Sequence, residues 1–527
     1  MSRVGIRDAY KALHAAFTAV SHINHAVSML EWDAMAMMPP GAADARGDAK
    51  AALQTMSHER LTDVKVGHHL SVIAASSGED VSTELSFEER ANVREMRRTY
   101  DLATKLTPEF VTRQSVTVSK AEQAWRSMRK ANDWASFAPH VKAVVDLARE
   151  EAEQLRAGRE SELTLYETLL DKYEPGLKEH DLDNLFARLV GWIPARIKEV
   201  TASQAASPVP LPDFTTVRFP ISQQAALGQR MAGDVLKFDF NQGRIDVSAH
   251  PFCGGVPTDV RLTTRYDERD FTQSLMGVVH EGGHGLYEQN RPRAWLTQPA
   301  SAPRSMGIHE SQSLLHEMYI GRSSPFLKLV SRMAIDSFPE AAAALEAQKP
   351  PGRPSALAPE SLRRVYHAVK PGKIRVDADE LCYPLHVYLR YDIERRLLSG
   401  TLDVADIPAE WDRKMRELLG VDTAGDFKDG PMQDIHWPLG LIGYFPTYTM
   451  GAAYAAQLFH AIRRDLGDAT VDAAMEAGEL GDIATWLRER VWSKGSMLST
   501  ADLLKSATGE GFNPAYYEAH LRTRYQP

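Results

Sequence analysis

Cysteine is nearly absent from this chain: Cys253 and Cys382 are the two in 527 residues. Outside any C-x-x-C pair, they build no disulfide framework and suit a reducing compartment. A basic excess is also missing. Lysine and arginine number 61 against 70 acids, a formal charge of −9. That is the wrong sign for affinity built from cations on phosphate, so nucleic acid is not an expected partner. No run approaches the ~20 apolar residues of a membrane span, so no membrane partner is expected either. The charged opening from Met1 to Asp8 lacks the apolar stretch of a signal peptide. Repeats and low-complexity tracts are absent too, beyond the alanines at 341–344. What remains is 43% hydrophobic and 25% charged, enough apolar material for a sizeable core and too much for disorder. A soluble, cytoplasmic protein of two or more domains, or one large one, is expected.

Residues 1–205 read as successive helices. Apolar and charged residues alternate at three- and four-residue spacing over 88–131, 134–162 and 182–205, and Pro108 is the one proline of the first stretch. Ser207-Pro208-Val209-Pro210-Leu211-Pro212 then breaks any helix. It divides a helical cover, 1–205, from a catalytic region, 206–527, within one continuous unit. Three pieces rich in Val, Phe and Thr follow at 215–221, 235–245 and 258–266, and they predict a small sheet. Helical patterns resume at Phe271, interrupted by a proline-rich stretch at 349–359.

The chemistry concentrates at His280-Glu281-Gly282-Gly283-His284. Histidines four apart lie one above the other on a helix face, so both imidazoles can reach one zinc ion. The glutamate between them projects near the metal without ligating it, where it can take a proton from water. Chance alone produces this pattern in roughly a few chains per hundred of this kind. Gly282, Gly283 and Gly285 argue against chance, because each costs about 1 kcal/mol relative to alanine in a helix interior and such violations gather at functional sites. A catalytic zinc needs a third protein ligand. His309, Glu310, His316 and Glu317 compete for that role on spacing, and Glu317 can instead orient a ligand from behind.

Other strings carry polar residues in unusual company: His250-Pro251-Phe252, Asp259 to Tyr266 with Arg261, Ile374-Arg375-Val376-Asp377, and Gln433-Asp434-Ile435-His436-Trp437 with Tyr444 and Tyr448 downstream. Together these strings resemble the carboxypeptidase Taq family of metallocarboxypeptidases. The resemblance rests on His-Pro-Phe at 250–252, Asp-x-Arg-x-Thr-Thr at 259–264, His-Glu-x-Gly-His at 280–284 and Gly-Ile-His-Glu-Ser-Gln-Ser at 307–313. It continues with Ile-Arg-x-x-Ala-Asp at 374–379 and Gly-x-x-Gln-Asp-x-His-Trp at 430–437, in order and over nearly the whole chain. It implies a mainly α fold with a small sheet and a deep groove, a homodimer, and release of single amino acids from the free C-termini of peptide substrates. Carried over, His280, His284 and Glu310 become the ligands of one divalent metal and Glu281 the general base. Two departures stand out: Leu314-Leu315-His316-Glu317-Met318 where Arg-Leu-Trp-Glu-Asn is common, and Asp377 for a glutamate.

Zinc suits two imidazoles and a carboxylate, and cobalt or manganese also accept that set. The tetrahedral oxyanion needs a further donor, for which His436 and Tyr448 are the candidates. A free carboxylate is best met by an arginine. Arg375 and Arg261 are the candidates there, with His250, Gln433 and Tyr444 as substrate-binding helpers. The rivals are an endo- or oligopeptidase with the same zinc chemistry and no carboxylate clamp, and a non-catalytic helical scaffold.

Overall fold

In a computed structural model that describes residues 5–207 and 209–526, helix follows helix along most of the chain. Part of the charged opening (Met1 to Val4) and one proline of the 207–212 break (Pro208) lie outside the described residues, as does Pro527. Local chemistry sets the helix boundaries. Ser86 opens Phe87–Thr104 with a capping box, its hydroxyl accepting the Glu89 N–H while the Glu89 carboxylate accepts the Ser86 N–H. Thr107 caps Pro108–Ala131, with Pro108 in the first turn, where its missing N–H leaves nothing unpaired. Asn132, left-handed at φ 57°, ends that helix, and Asp133 caps Trp134–Arg156. The 182–205 pattern resolves into Glu179–Val190 and Ile193–Ala206.

The three expected strands fare differently. The piece at 258–266 contains β3, with β1 and β2 on either side: β1 is Gly243–Val247, β2 Cys253–Val256 and β3 Asp259–Thr264. β1 runs parallel to β3 and β2 antiparallel to it. Of 235–245 only the end is extended, because its first half completes a π turn and a 3-10 turn. The 215–221 piece forms no strand. Its Phe219 packs edge-on against Phe338 in the core, so the aromatic content there serves burial, not pairing. β2, with Gly254 and Gly255 inside it, carries no strand-like pattern in sequence.

One apolar core takes residues from both sides of position 205, from Trp134 to Tyr525. A second, smaller core joins the helices Ile6–Ala36, Val64–Ala74 and Phe87–Thr104 through Leu13, Phe17, Leu70 and Met96. A polar seam ties this part to the rest: Asn92 donates to Gln298 at 3.0 Å, and Arg304 pairs with Glu95 at 3.0 Å. Among the described residues no helix is long and apolar enough to cross a membrane.

At the centre lies the helix Phe271–Gln289, opened by Asp270, whose carboxylate accepts the Thr272 N–H at 2.8 Å. Its glycines are explained by what stands opposite. A Cβ on Gly283 would strike the Gln312 carbonyl and come within 2.8 Å of the Ser313 Cα, backbone of the neighbouring helix Met306–Leu314. A Cβ on Gly282 would meet the end of the Leu236 side chain at 2.6 Å. Alanine at 282 gains helix propensity of about 1 kcal/mol and Leu236 can turn aside. Alanine at 283 has to push a helix away. Urea denaturation is expected to show Gly283→Ala less stable by about 1–3 kcal/mol, the usual cost of overpacking, and Gly282→Ala close to the parent.

Candidate metal centre and active site

His280 and His284 stand one turn apart, ring centroids 5.2 Å from each other. Glu310 enters from Met306–Leu314, which Ser305 caps through the Ile308 N–H. On the far side of Glu310, Gly451 lets the helix Pro446–Leu466 come close; a Cβ there would lie 2.7 Å from the Glu310 Cγ. One donor atom each from His280, His284 and Glu310 lies within 4.8 Å of the others, and this is the one such triad among the described residues. Donors bound at 2.0–2.2 Å to a tetrahedral ion stand about 3.4 Å apart, and His284 Nε2 and Glu310 Oε2 are 3.5 Å apart. The donor set therefore fits a divalent metal.

The other contenders on this stretch face elsewhere. His309 bonds Glu288 at 2.9 Å, and buried His316 bonds the Gln312 carbonyl at 2.7 Å. Leu315–Gly321 winds as a π-helix, a form common at functional sites. It brings Glu317 Oε2 to 2.7 Å from His280 Nδ1, with Arg322 on the other carboxylate oxygen. His280 therefore presents Nε2 to the cluster.

The cluster draws positive charge. Burial alone would lower the His280 imidazole, but the Glu317 hydrogen bond and the charges of Glu281, Glu317 and Glu310 outweigh it and hold it at about 10. Burial, with like charge from His309, brings His284 down to about 4. Glu281 is 6% exposed, and burial, reinforced by Glu310 and Glu317 against His280, pushes its carboxyl up to about 7. A groove of about 790 Å³ opens here, lined by Pro251, Gly277, His280, Glu281, Lys370 and Asp377 among others.

The segments 374–390 and 433–448 form a buried polar cluster, and Val376 to Asp379 of the first of them line the groove. Arg375, 4% exposed, gives Nε and Nη2 to Asp434 at 3.1 and 2.9 Å and Nη1 to the Tyr383 hydroxyl at 2.8 Å. Arg390, fully buried, gives Nε to the other oxygen of Asp434 at 2.7 Å. Two guanidiniums thus share one carboxylate. Gln433 is absorbed in holding this loop: its carbonyl accepts the Arg375 N–H at 2.8 Å, and its amide donates to the Lys373 and Asp429 carbonyls. His436 Nε2 and the Tyr448 hydroxyl share a hydrogen bond of 3.2 Å, and the Tyr444 ring lies 5.4 Å from that of Tyr448. Burial pushes Tyr448 well above the usual phenol range and lowers His436 to about 4, so both are neutral. Arg261 pairs with Asp259 at 2.6 Å and lies 4.5 Å over the ring of Trp32. His250 is exposed, and its carbonyl accepts the Ser248 hydroxyl.

Asp434, Tyr383 and Arg390 were given no role from sequence. Asp434 stood between two candidates, a usable signal. Arg390 sits in the Arg-rich helix Tyr383–Ser399 and reads there as one more solvated charge.

The fold and site define a class. The chain belongs to the carboxypeptidase Taq (M32) metallopeptidase family, which it matches over residues 12–525. It is a metallocarboxypeptidase, a hydrolase acting on peptides. Among curated relatives, thermostable carboxypeptidase 1 of Thermus thermophilus is 35% identical over 507 residues, 94% of each chain. Carboxypeptidase 1 of Bacillus subtilis is 33% identical over 511 residues, 96% of each. The solved structure of Trypanosoma cruzi metallocarboxypeptidase 1 superimposes with a TM-score of 0.92 at 43% identity, covering 99% of this chain and 100% of that one.

The shared carboxylate invites a test independent of catalysis. Asp434→Asn leaves two buried guanidiniums without their anion, and breaking such a pair costs about 3–5 kcal/mol. Urea denaturation at pH 7 is expected to show a loss of that order. Because the folded-state pKa of Asp434 is depressed, chiefly by Arg390 and Arg375 against burial, the parent keeps this contribution above ~pH 4. It loses the contribution only in strong acid.

Proposed function

We propose that His280, His284 and Glu310 hold one zinc ion per chain and that Glu281, His436, Tyr448 and Arg375 carry out removal of single C-terminal residues. Cobalt or manganese are the alternatives that the same donors accept. The observation that carries the exopeptidase assignment is the pair of guanidiniums on Asp434, a buried cluster with one positive charge in excess beside Tyr448.

A divalent cation bound by the triad supplies Lewis acidity toward the scissile carbonyl and toward water. Glu281 is placed to take the proton of the attacking water and deliver it to the departing amine. Tyr448 keeps its proton and His436 is neutral; with His436 Nε2–H donating to the Tyr448 oxygen, the Tyr448 hydroxyl is left to donate to a developing oxyanion, and His436 donates there only when that bond opens. Of the roughly five N–H bonds of a guanidinium, Arg375 gives three to Asp434 and Tyr383 and keeps two for a terminal carboxylate. Arg261, tied to Asp259, is the alternate clamp. Gln433 assists by fixing the Arg375 backbone, and Tyr444 and His250 border the substrate. The N-terminal helices act as the cover of the groove, an assignment supported by Trp32 of Ile6–Ala36 packed on Arg261. A homodimer is the arrangement that the family resemblance favours, and two isolated cysteines favour a reducing, cytoplasmic setting.

Glu281→Gln is expected to retain one metal per chain by elemental analysis while kcat falls by ~10²–10⁴-fold or more, the worth of general-base catalysis. A rate within a few-fold of the parent would show that another group handles the proton.

Peptides with free and amidated C-termini test the clamp. The parent is expected to cut free-carboxylate peptides far faster, and Arg375→Ala to lower kcat/KM on them by ~10²-fold or more with little change on amides. Lysine at 375 should restore part of the loss, since it offers a point charge without the planar fork. Equal cleavage of both peptides by the parent would make the enzyme an endo- or oligopeptidase. A selective loss in Arg261→Ala alone would transfer the role to Arg261.

A further inference from the structure

The two histidines of the triad are oriented by different means. His280 has the support usual for a metal-binding imidazole, a carboxylate on its other nitrogen: Glu317 at 2.7 Å. His284 has none. Its Nε2 faces Glu310, while its Nδ1 is buried and finds no hydrogen-bond partner among the described residues. What touches the ring is another ring. The imidazole of His309 lies parallel to it, with centroids 4.6 Å apart and planes 25° apart.

His309 is itself held. Its Nε2–H donates to Glu288 Oε1 at 2.9 Å, and Arg291 bonds the other oxygen of that carboxylate at 2.8 Å. Tyr287 lies on it as well, centroids 5.6 Å apart, and the Tyr287 hydroxyl is fixed by accepting the Arg304 N–H at 3.1 Å. Glu288 follows His284 by one helical turn, and His309 immediately precedes Glu310. The His309–Glu288 bond therefore joins the two ligand helices at the height of the ligands themselves.

We propose that His309 is a positioning residue for the metal centre: its ring, stacked on His284, sets the plane of that ligand in place of the missing hydrogen bond, and its bond to Glu288 locks the two ligand helices in register. The inference rests on His280, His284 and Glu310 being the ligand set. It makes the two imidazoles unequal, one fixed by a carboxylate and one by a stack, so they should respond to different substitutions.

Three variants separate ring from bond. His309→Phe keeps a flat ring and loses the bond to Glu288; His309→Gln keeps a donor and loses the ring; His309→Ala loses both. The readouts are zinc affinity by competition with a chromogenic chelator and the visible absorption of the cobalt-substituted protein, with circular dichroism and thermal melting to establish folding. His309→Ala is expected to weaken zinc binding by ~10–100-fold, the usual effect of removing a ligand's support, and to shift the cobalt bands. His309→Phe should recover most of the affinity and a near-parent spectrum, and His309→Gln less. Parent affinity and spectrum in His309→Ala, with His284→Ala still disruptive, would overturn the proposal alone. Recovery by glutamine and not by phenylalanine would overturn the stacking role. A cobalt spectrum indifferent to His284→Ala would refute the ligand set and this inference with it.

Discussion

Between Gly283 and Ser313 the helix bearing both histidines meets the helix bearing Glu310 backbone to backbone, and one added methyl group would part them. Helices packed through ordinary side chains stand 8–10 Å apart, whereas three donors on one ion have to converge to about 3.4 Å of each other. A glutamate has limited reach. Glu310 meets the imidazoles because its own helix is drawn in at Gly283, and because the Pro446–Leu466 helix leaves it room at Gly451. The glycines weaken the helix that carries them, each by about 1 kcal/mol. Neighbours fill the space they open: Leu236 at Gly282, Phe238 and Leu262 at Gly285. A local sacrifice in propensity thus becomes a tightly packed junction at the place where geometry matters most.

Around that junction, charge is distributed unequally. The metal side holds Glu281, Glu310 and Glu317 about two imidazoles and so favours a cation. A second buried cluster holds Arg375 and Arg390 about Asp434 and so favours an anion. Buried charges persist only where partners compensate for lost hydration, so each cluster is stable largely through its own pairs. Two further buried carboxylates fix the backbone that bears these groups. Glu394 accepts from Tyr166, Trp437 and the Gly443 N–H, tethering the segment between His436 and Tyr448. Glu174 accepts the Gly307 N–H at the start of the Glu310 helix.

The helical character, the small sheet and the central motif were all legible in sequence, because periodicity, capping residues and a four-residue spacing are local properties. The same locality explains what was missed. The 215–221 piece has the composition of a strand, yet its Phe219 fills the main core, and nothing in seven residues distinguishes those fates. β2 was hidden by its glycines. Glu317 was readable as support for a ligand from its distance to Glu310, but which histidine it supports depends on a π turn that no spacing rule anticipates. Arg390 and Asp434 lie 44 residues apart. Their pairing, and the excess charge it leaves beside Arg375, exists only once the chain has folded.

Metal chemistry alone does not make an exopeptidase. A cation on His280, His284 and Glu310 attracts any carboxylate, and a peptide terminus drawn straight onto it presents no scissile bond for attack. The remedy requires a competing positive charge at a fixed offset, strong enough to hold the terminus and too well paired to wander. Arg375 is the group proposed for that charge: Asp434 and Tyr383 fix its plane, while Arg390 keeps Asp434 from neutralising it in full. A charge-assisted hydrogen bond is worth about 1.5–3 kcal/mol, or roughly 10- to 150-fold in preference for a charged terminus over a neutral one. Under the proposed mechanism, then, the reaction's position along the peptide is set by the distance between two unlike charged clusters, and the three-dimensional pairing of Arg390 with Asp434 matters to it as much as the H-E-x-x-H helix does.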